Sequence, residues 1–445
     1  MSVSVNKDTF YTILTKLPVI LLNFLSSIVL VRMLGSEGKG VHSFIANGGD
    51  LAYFLLAFNF TTAVTYFTAR QNISKDKVMG IATLIVSFAF VSFAGIIYLL
   101  YHADNSVLLL FLPKGYTQSY FLLFLLSYFA YSLLSNFYMS LLQGQKKFAW
   151  LNLSDLTLRG STFIAYSILY YIVSYHQHLL PDLPSIFYWL IMVNILLTLL
   201  YTALFLYKAD LSISFQFDFQ NDIRPFFNYT FIGYLGIVAN FFNRRLDIWF
   251  VEHFHGVEQW GFYSIAVGLT GIMTILANPL GQVLMPYLTQ MNQQEGQRQF
   301  LLFSRINAAF ITTMTIGLLV VAHWLVPLVY GSEFSASVAP LYVLAVGNIC
   351  FVIRNMYVAY NYAHNRVQHN LYGNVVALVA TVIFDILLIP KYGIWGAALA
   401  TSFSYCANML YVMYSVHRHT QSTIVDALIL KKQDLQQIQR MLFKK

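Results

Sequence analysis

Long apolar runs constrain the fold of this chain more than any other feature. A helix crosses a bilayer with about 20 mostly apolar residues. Charged residues make up only 10% of the 445-residue sequence, against about 25% in soluble domains, so most of the folded surface has to face lipid. We predict an all-α integral membrane protein with about 12 transmembrane helices. The predicted spans are 10–33, 41–68, 78–101, 116–142, 148–174, 185–207, 226–251, 260–289, 301–325, 336–362, 370–389 and 393–416.

Lysine and arginine are distributed unevenly between the two membrane sides. With the N-terminus in the cytoplasm, sixteen fall in inner connections or the tail, and three (Lys39, Lys114 and Lys391) in outer ones. Because basic loops stay in the cytoplasm, we predict a multi-pass protein with both termini cytoplasmic. The net charge of +8 does not indicate nucleic-acid binding, because no basic face concentrates it.

A repeated motif divides the chain into two sets of six spans. Residues 35–40 and 256–261 both read G-x-E-x-x-G at an offset of 221, each after the first span of its set. Such duplication predicts a parallel repeat with its axis along the membrane normal. The glycines allow a tight turn, and the glutamate is expected to cap the next helix. The predicted domains are an N-terminal six-helix bundle at 1–207, a cytoplasmic link at 208–225, a C-terminal six-helix bundle at 226–417 and a basic amphipathic cytoplasmic tail at 418–445.

The link and the tail carry different periodicities. A period of two in the link predicts an extended segment, from Ile213, Phe215, Phe217 and Phe219. A helical period in the tail predicts an amphipathic helix, from Ile424, Leu428, Leu435, Ile438 and Leu442.

Four segments at span ends carry a family resemblance. They are VRMLGSEGKGVHSF at 31–44, RRLDIWFVEHFHGVEQWGFYS at 244–264, PLVYGSEFSASVAPLYVLA at 327–345 and IPKYGIWGAALATSFSY at 389–405. With these segments the chain resembles the Wzx-type polysaccharide (O-antigen) flippases of the MOP transporter superfamily. The resemblance implies two six-helix bundles, related by pseudo-two-fold symmetry around a central cavity, in the bacterial inner membrane. It also implies that an undecaprenyl-pyrophosphate-linked oligosaccharide moves from the cytoplasmic to the periplasmic leaflet, with membrane lipids and polysaccharide polymerase or export machinery as partners.

Five basic residues inside predicted spans are candidates for substrate binding: Lys16, Arg159, Arg244, Arg245 and Arg354. A charge at mid-membrane costs about 2.5–3.5 kcal/mol on insertion scales, so these side chains should face protein or water. One interpretation is a cationic cavity, because arginine binds phosphate oxygens bidentately. The other is that each arginine closes a salt bridge between helices.

Four acids inside spans are candidates for cation coupling or for pairing with the arginines: Asp50, Asp155, Asp247 and Asp385. Asp155 and Arg159 are four residues apart and Arg244 and Asp247 three apart, so each pair can meet on a helix face. We expect no cofactor and no metal, although a proton or sodium gradient could drive transport. Cys350 and Cys406 both lie in apolar segments, which excludes a cysteine-based metal site.

Two alternatives within the same architecture remain open, a peptidoglycan-precursor flippase and a cation-coupled drug antiporter. Sparse acids in the spans argue against the antiporter, which needs an anionic pocket. A membrane polysaccharide polymerase or ligase is less favoured, because the sequence has neither a large outer loop nor a Ser/His/Asp constellation. We therefore predict a transporter rather than an enzyme.

Overall fold

The fold is all-helical in a computed structural model, which has no strand among the residues it describes. Side chains before Leu17 lie outside that description, as do scattered ones between 232 and 287. The backbone is described for residues 2–70, 73–145, 147–175, 182–208, 213–288, 291–364, 366–420, 424–431 and 433–434.

Twelve α-helices follow one another along the described chain. Short helical turns at Ser106–Leu110, Phe219–Ile223 and Ser332–Ser337 join some of them. The helices are α1 (Ser2–Leu56), α2 (Phe60–Arg70), α3 (Lys75–His102), α4 (Ser119–Gly144), α5 (Phe148–Tyr175), α6 (Leu183–Lys208), α7 (Arg224–Arg245), α8 (Asp247–Leu288), α9 (Gln293–Tyr330), α10 (Val338–Ala363), α11 (Val367–Thr420) and α12 (Ile424–Leu428).

Three glycines divide the longest helices. Gly35 (φ 65°, ψ −174°) breaks α1, Gly256 (φ 84°, ψ 168°) breaks α8, and Gly393 (φ 58°, ψ −138°) breaks α11. Glycine is suited to these conformations because it has no Cβ to clash at positive φ. Nine helical segments of the described chain are long and apolar enough to cross a membrane, and the glycines divide three of them. The predicted all-α membrane fold is confirmed.

The second predicted span, 41–68, is interrupted, which the sequence did not indicate. Phe58 (φ 46°) and Asn59 (φ 55°) adopt left-handed conformations between α1 and α2. The Asn59 Oδ1 accepts a hydrogen bond from Thr62 Oγ1 at 2.7 Å, and the Tyr234 hydroxyl donates to the Leu55 carbonyl at 3.1 Å. These contacts replace part of the helical hydrogen bonding. A membrane helix needs such replacements where its own hydrogen bonds are interrupted.

The chain forms two compact units. The C-terminal unit contains Met1–Ile20, Leu246–His255 and Phe262–Lys445, and the N-terminal unit contains Leu21–Arg245 and Gly256–Gly261. The boundaries predicted for the two bundles, the link and the tail stay a prediction, as does the symmetry between the bundles.

Each unit has an aromatic core. In the C-terminal unit, Phe300 and Tyr357 are fully buried with their ring centroids 5.0 Å apart. In the N-terminal unit, Phe93 and Phe129 are likewise buried, at 4.5 Å.

The link at 213–223 lies against α3. Ser214 N donates to the Asp76 carbonyl at 3.1 Å, and Lys77 Nζ pairs with Asp222 Oδ2 at 2.6 Å. Residues 213–218 are non-helical, as the period of two predicts.

The two G-x-E-x-x-G motifs pack against each other within the N-terminal unit. A Cβ on Gly40 would lie 2.0 Å from the Val257 carbonyl oxygen, and one on Gly261 would lie 2.2 Å from the Ser36 carbonyl oxygen. Position 36 of the first motif corresponds to 257 of the second, and position 40 corresponds to 261. The two close approaches therefore join equivalent positions of the two motifs. The Ser36 hydroxyl donates to Glu258 Oε1 at 2.9 Å. The glutamate of the second motif therefore binds a side chain of the first motif, although the sequence suggested a helix cap.

Gly261→Ala is expected to lower the free energy of unfolding in detergent by about 1–3 kcal/mol, because the added methyl group cannot fit beside the Ser36 carbonyl. Denaturant titration followed by circular dichroism measures it. Gly317→Ala in α9 is the matched control, since nothing lies within 4 Å of a Cβ there. Equal stability of the two variants would contradict close packing of the motifs.

Candidate functional site

Two buried carboxylates lie in the C-terminal unit. Asp247 begins α8 and is 3% exposed, and Asp385 lies in α11 and is fully buried. Asp247 Oδ2 accepts hydrogen bonds from the Tyr263 hydroxyl at 2.9 Å and from Thr401 Oγ1 at 3.3 Å. Asp385 lies within electrostatic range of Asp247, and we refer to the two as the acid pair.

Asp385 differs from Asp247 in its surroundings. Within the described residues, neither of its carboxylate oxygens has a hydrogen-bond partner. One helical turn earlier, Thr381 Oγ1 donates to Ser404 Oγ at 2.8 Å. A buried carboxylate is stable only when it is neutralised or paired with a cation. A second carboxylate within electrostatic range makes that requirement stronger, because like charges oppose each other's ionisation.

The chemistry around the acid pair suits a proton or a hard monovalent cation. The oxygen atoms that could bind a cation here belong to the two carboxylates and to the hydroxyls of Tyr263 and Thr401. No cluster of three or more His, Cys, Asp or Glu side chains with metal-binding geometry occurs among the described residues. Oxygen ligands of this kind favour hard cations over the softer transition metals.

Arg354 in α10 forms a second polar centre of the C-terminal unit. It is 7% exposed. Its Nε donates to Asn408 Oδ1 at 3.3 Å, Nη1 to Asn355 Oδ1 at 3.1 Å, and Nη2 to Asn374 Oδ1. The Phe351 ring centroid lies 6.0 Å from its Cζ, within the range of a cation–π contact.

These amide neighbours hold the Arg354 guanidinium in place through uncharged acceptors. An amide oxygen accepts a hydrogen bond but carries no net charge. A guanidinium held in this way is pre-organised, and its planar fork matches the oxygens of a phosphate. The predicted role of Arg354 in anion binding stays a prediction.

Five further candidates lie in the N-terminal unit: Asp50, Asp155, Arg159, Arg244 and Arg245. Arg159 Nε pairs with Asp155 Oδ1 at 3.2 Å, and both side chains are about one-third exposed. This local ion pair matches the four-residue spacing. Asp50 accepts a hydrogen bond from the Tyr128 hydroxyl at 3.3 Å and lies within electrostatic range of Arg245.

Two predicted basic residues have fewer described contacts. Arg244 is exposed at the end of α7, one residue before the half-buried Arg245. The side chain of Lys16 lies outside the described residues, so its predicted role stays a prediction.

Tyr263, Thr401, Asn374 and Asn408 were not among the sequence candidates. All four are uncharged polar residues in apolar spans. This polarity was the sequence feature that could have identified them, because such side chains form hydrogen bonds between membrane helices. Their partners lie far away in sequence, so the spacing of residues along one helix could not identify them.

The tail docks on α9 through a buried ion pair. Arg305 Nε and Nη2 contact Asp434 Oδ2 and Oδ1 at 2.6 and 2.8 Å, and Nη1 donates to the Asp426 carbonyl at 2.7 Å. Within the predicted tail helix, the structure describes a helix at Ile424–Leu428 and a non-helical stretch at 429–431. Residues after 434 lie outside the described part of the chain, so the amphipathic tail helix stays a prediction.

Asp434→Asn is expected to weaken docking of the tail by about 3–5 kcal/mol, because Arg305 would keep a buried charge without its partner. Hydrogen exchange at 424–431 measures the release. Asp426→Asn is the control: its exposed pair with Lys431, at 2.7 Å, contributes at most about 1 kcal/mol. Unchanged exchange in Asp434→Asn would contradict the docking role.

Acidification should release the tail in the wild type. Burial raises the pKa of Asp434, but hydrogen bonds from Arg305 and the Lys431 backbone outweigh it and hold the pKa below its usual range. A lowered carboxylate pKa stabilises the docked state above the unfolded value of about 4, and this stability is lost as pH falls through the lower folded value. Hydrogen exchange at pH 6 and pH 3, corrected for intrinsic rates, tests this.

Sequence comparison relates the chain to polysaccharide and glycan biosynthesis proteins. A family model described as "Polysaccharide biosynthesis protein" matches residues 183–339. The probable low-salt glycan biosynthesis flippase Agl15 of Haloferax volcanii is 24% identical over 208 residues, which is 45% of this chain and 43% of that protein. The chain spans between 37% and 51% of the length of the curated relatives that it matches.

Structure comparison gives the fold over nearly the whole chain. The lipid II flippase MurJ, in its inward closed conformation, has a TM-score of 0.70 at 15% identity, covering 96% of this chain and 91% of that one. An inward-facing multidrug resistance MATE family transporter of the MOP superfamily has a TM-score of 0.70 at 13% identity, covering 90% and 94%. The chain has the fold of these transporters.

Proposed function

We propose that this protein is a flippase that moves an undecaprenyl-pyrophosphate-linked oligosaccharide from the cytoplasmic to the outer leaflet by alternating access. The observation that carries the proposal is the buried guanidinium of Arg354, which three amide oxygens orient. The match to polysaccharide biosynthesis proteins over residues 183–339 supports the substrate class.

The proposed substrate explains why a buried cation is useful. A pyrophosphate is doubly charged, and moving it through hydrocarbon without a partner is prohibitive. A guanidinium can donate hydrogen bonds to the pyrophosphate oxygens and balance their charge. The polyprenyl tail can stay in the bilayer meanwhile. Arg159, Arg244, Arg245 and Lys16 are proposed as further members of the cationic path.

We assign coupling to the acid pair of Asp247 and Asp385. A proton or a sodium ion bound there would neutralise the carboxylate of Asp385, for which the described residues provide no hydrogen bond. A cation that binds one of the two transport states more tightly would shift the equilibrium between these states when it binds and when it is released. The gradient would then supply the direction of transport.

The proposed location is the bacterial inner membrane, with both termini in the cytoplasm. The positive-inside distribution of lysine and arginine supports this orientation. Polysaccharide polymerase or export machinery would receive the glycan on the outer side.

Deletion of the gene tests the function. We expect a lipid-linked oligosaccharide to accumulate facing the cytoplasm while surface polysaccharide is lost, measured by lipid extraction and mass spectrometry. Accumulation of a peptidoglycan precursor would instead assign the related flippase activity. Unchanged surface glycan together with new drug sensitivity would favour the antiporter.

A further inference from the structure

The only two cysteines of the chain meet in the C-terminal unit. Cys350 lies in α10 and Cys406 in the second part of α11, and their Sγ atoms are 2.9 Å apart. Both side chains are half-buried. The sequence placed each cysteine in an apolar segment but gave no reason for the two to be neighbours.

Close packing of the two helices brings the thiols together. One turn before Cys350, a Cβ on Gly347 would lie 2.2 Å from Ser402 Oγ, so only glycine permits this approach. Ser402 Oγ also donates to the Val343 carbonyl at 3.1 Å. The thiols are thus held together by backbone geometry and do not depend on side-chain rotation alone.

The thiol pair lies next to the Arg354 centre. One turn after Cys350, the Arg354 Nε donates to Asn408 Oδ1 at 3.3 Å, again joining α10 to α11. Between them, the rings of Phe351 and Tyr405 have centroids 4.8 Å apart. A covalent link at the thiols would fix the same helix pair that positions Arg354.

We propose that Cys350 and Cys406 are a redox-active dithiol that closes reversibly to an intramolecular disulfide, a modification site clamping α10 to the second part of α11. Closure forms one S–S bond of about 2.0 Å and breaks two S–H bonds. The sulfurs need to approach by less than about 1 Å. Two electrons and two protons pass to an oxidant, such as a diazene or a small disulfide, and a dithiol reductant returns them.

The test uses the full-length protein, purified in detergent, because two thiols per chain give an unambiguous count. The protein is treated with the diazene diamide, denatured in SDS and labelled with a maleimide–polyethylene glycol. We expect two labels per chain before oxidation, fewer than about 0.2 after it, and two again after dithiothreitol. Mass spectrometry of the oxidised protein should show the Cys350 and Cys406 peptides joined, 2 Da lighter than their sum.

Two variants separate proximity from general reactivity. Cys350→Ser leaves a single thiol and should retain one label after diamide. The double variant Cys350→Ser, Val346→Cys keeps two thiols but moves one to an exposed position a turn away, and it should retain two labels. Retention of two labels by the oxidised wild type would overturn the proposal, as would equal loss of labels in the double variant.

Discussion

Arg354→Ala is expected to reduce export of the lipid-linked glycan about ten- to a hundredfold. The estimate follows from the loss of a hydrogen-bonded contact to a charged group, about 1.5–3 kcal/mol, at about 1.4 kcal/mol per tenfold. The measurement is surface polysaccharide in a deletion strain that carries the variant, normalised to the amount of protein in the membrane.

Two further variants distinguish loss of binding from loss of folding. Arg354→Lys keeps the charge but loses the planar fork, so we expect an intermediate defect with protein levels intact. Arg298→Ala is the matched control, because Arg298 is exposed near the start of α9 and lies outside the proposed cationic path. Full export by Arg354→Ala at normal protein levels would remove Arg354 from the mechanism.

The sequence predicted the spans well because a bilayer imposes a length on every apolar run. It also located two of the breaks, since Gly35 and Gly256 begin the repeated motif and adopt the same unusual backbone conformation. The break at Phe58 and Asn59 escaped prediction because the segment around it is as apolar as a continuous span. The Tyr234 hydroxyl, from a helix far away in sequence, donates to the Leu55 carbonyl beside the break.

The candidate site was predicted residue by residue but not as an arrangement. Spacing along one helix was sufficient for Asp155 and Arg159, which pair four residues apart. It could not indicate the hydrogen bonds that Asp247 accepts from Tyr263 and Thr401. Packing between helices determines such contacts, and a pattern within one helix does not contain that information. The same reason explains why the amide oxygens around Arg354 were missed.

Asp385→Asn is expected to abolish stabilisation of the purified protein by the coupling cation. A ligand present at a hundred times its dissociation constant stabilises the folded state by about 2.7 kcal/mol. We expect sodium titration, or acidification if the cation is a proton, to raise the unfolding temperature of the wild type and to leave that of Asp385→Asn unchanged. The substitution removes the negative charge of the side chain and keeps its size.

The variant should also be at least as stable as the wild type when the cation is absent. Asp385 is fully buried, and its oxygens have no hydrogen-bond partner among the described residues, so an ionised carboxylate there destabilises the empty protein. Asp155→Asn is the control, since its one-third-exposed pair with Arg159 lies in the other unit, and it should keep the full cation response. A purely structural Asp385 gives the opposite pattern, a less stable empty protein with the cation response retained. The combination of raised basal stability and lost response therefore identifies the acid pair as the coupling site.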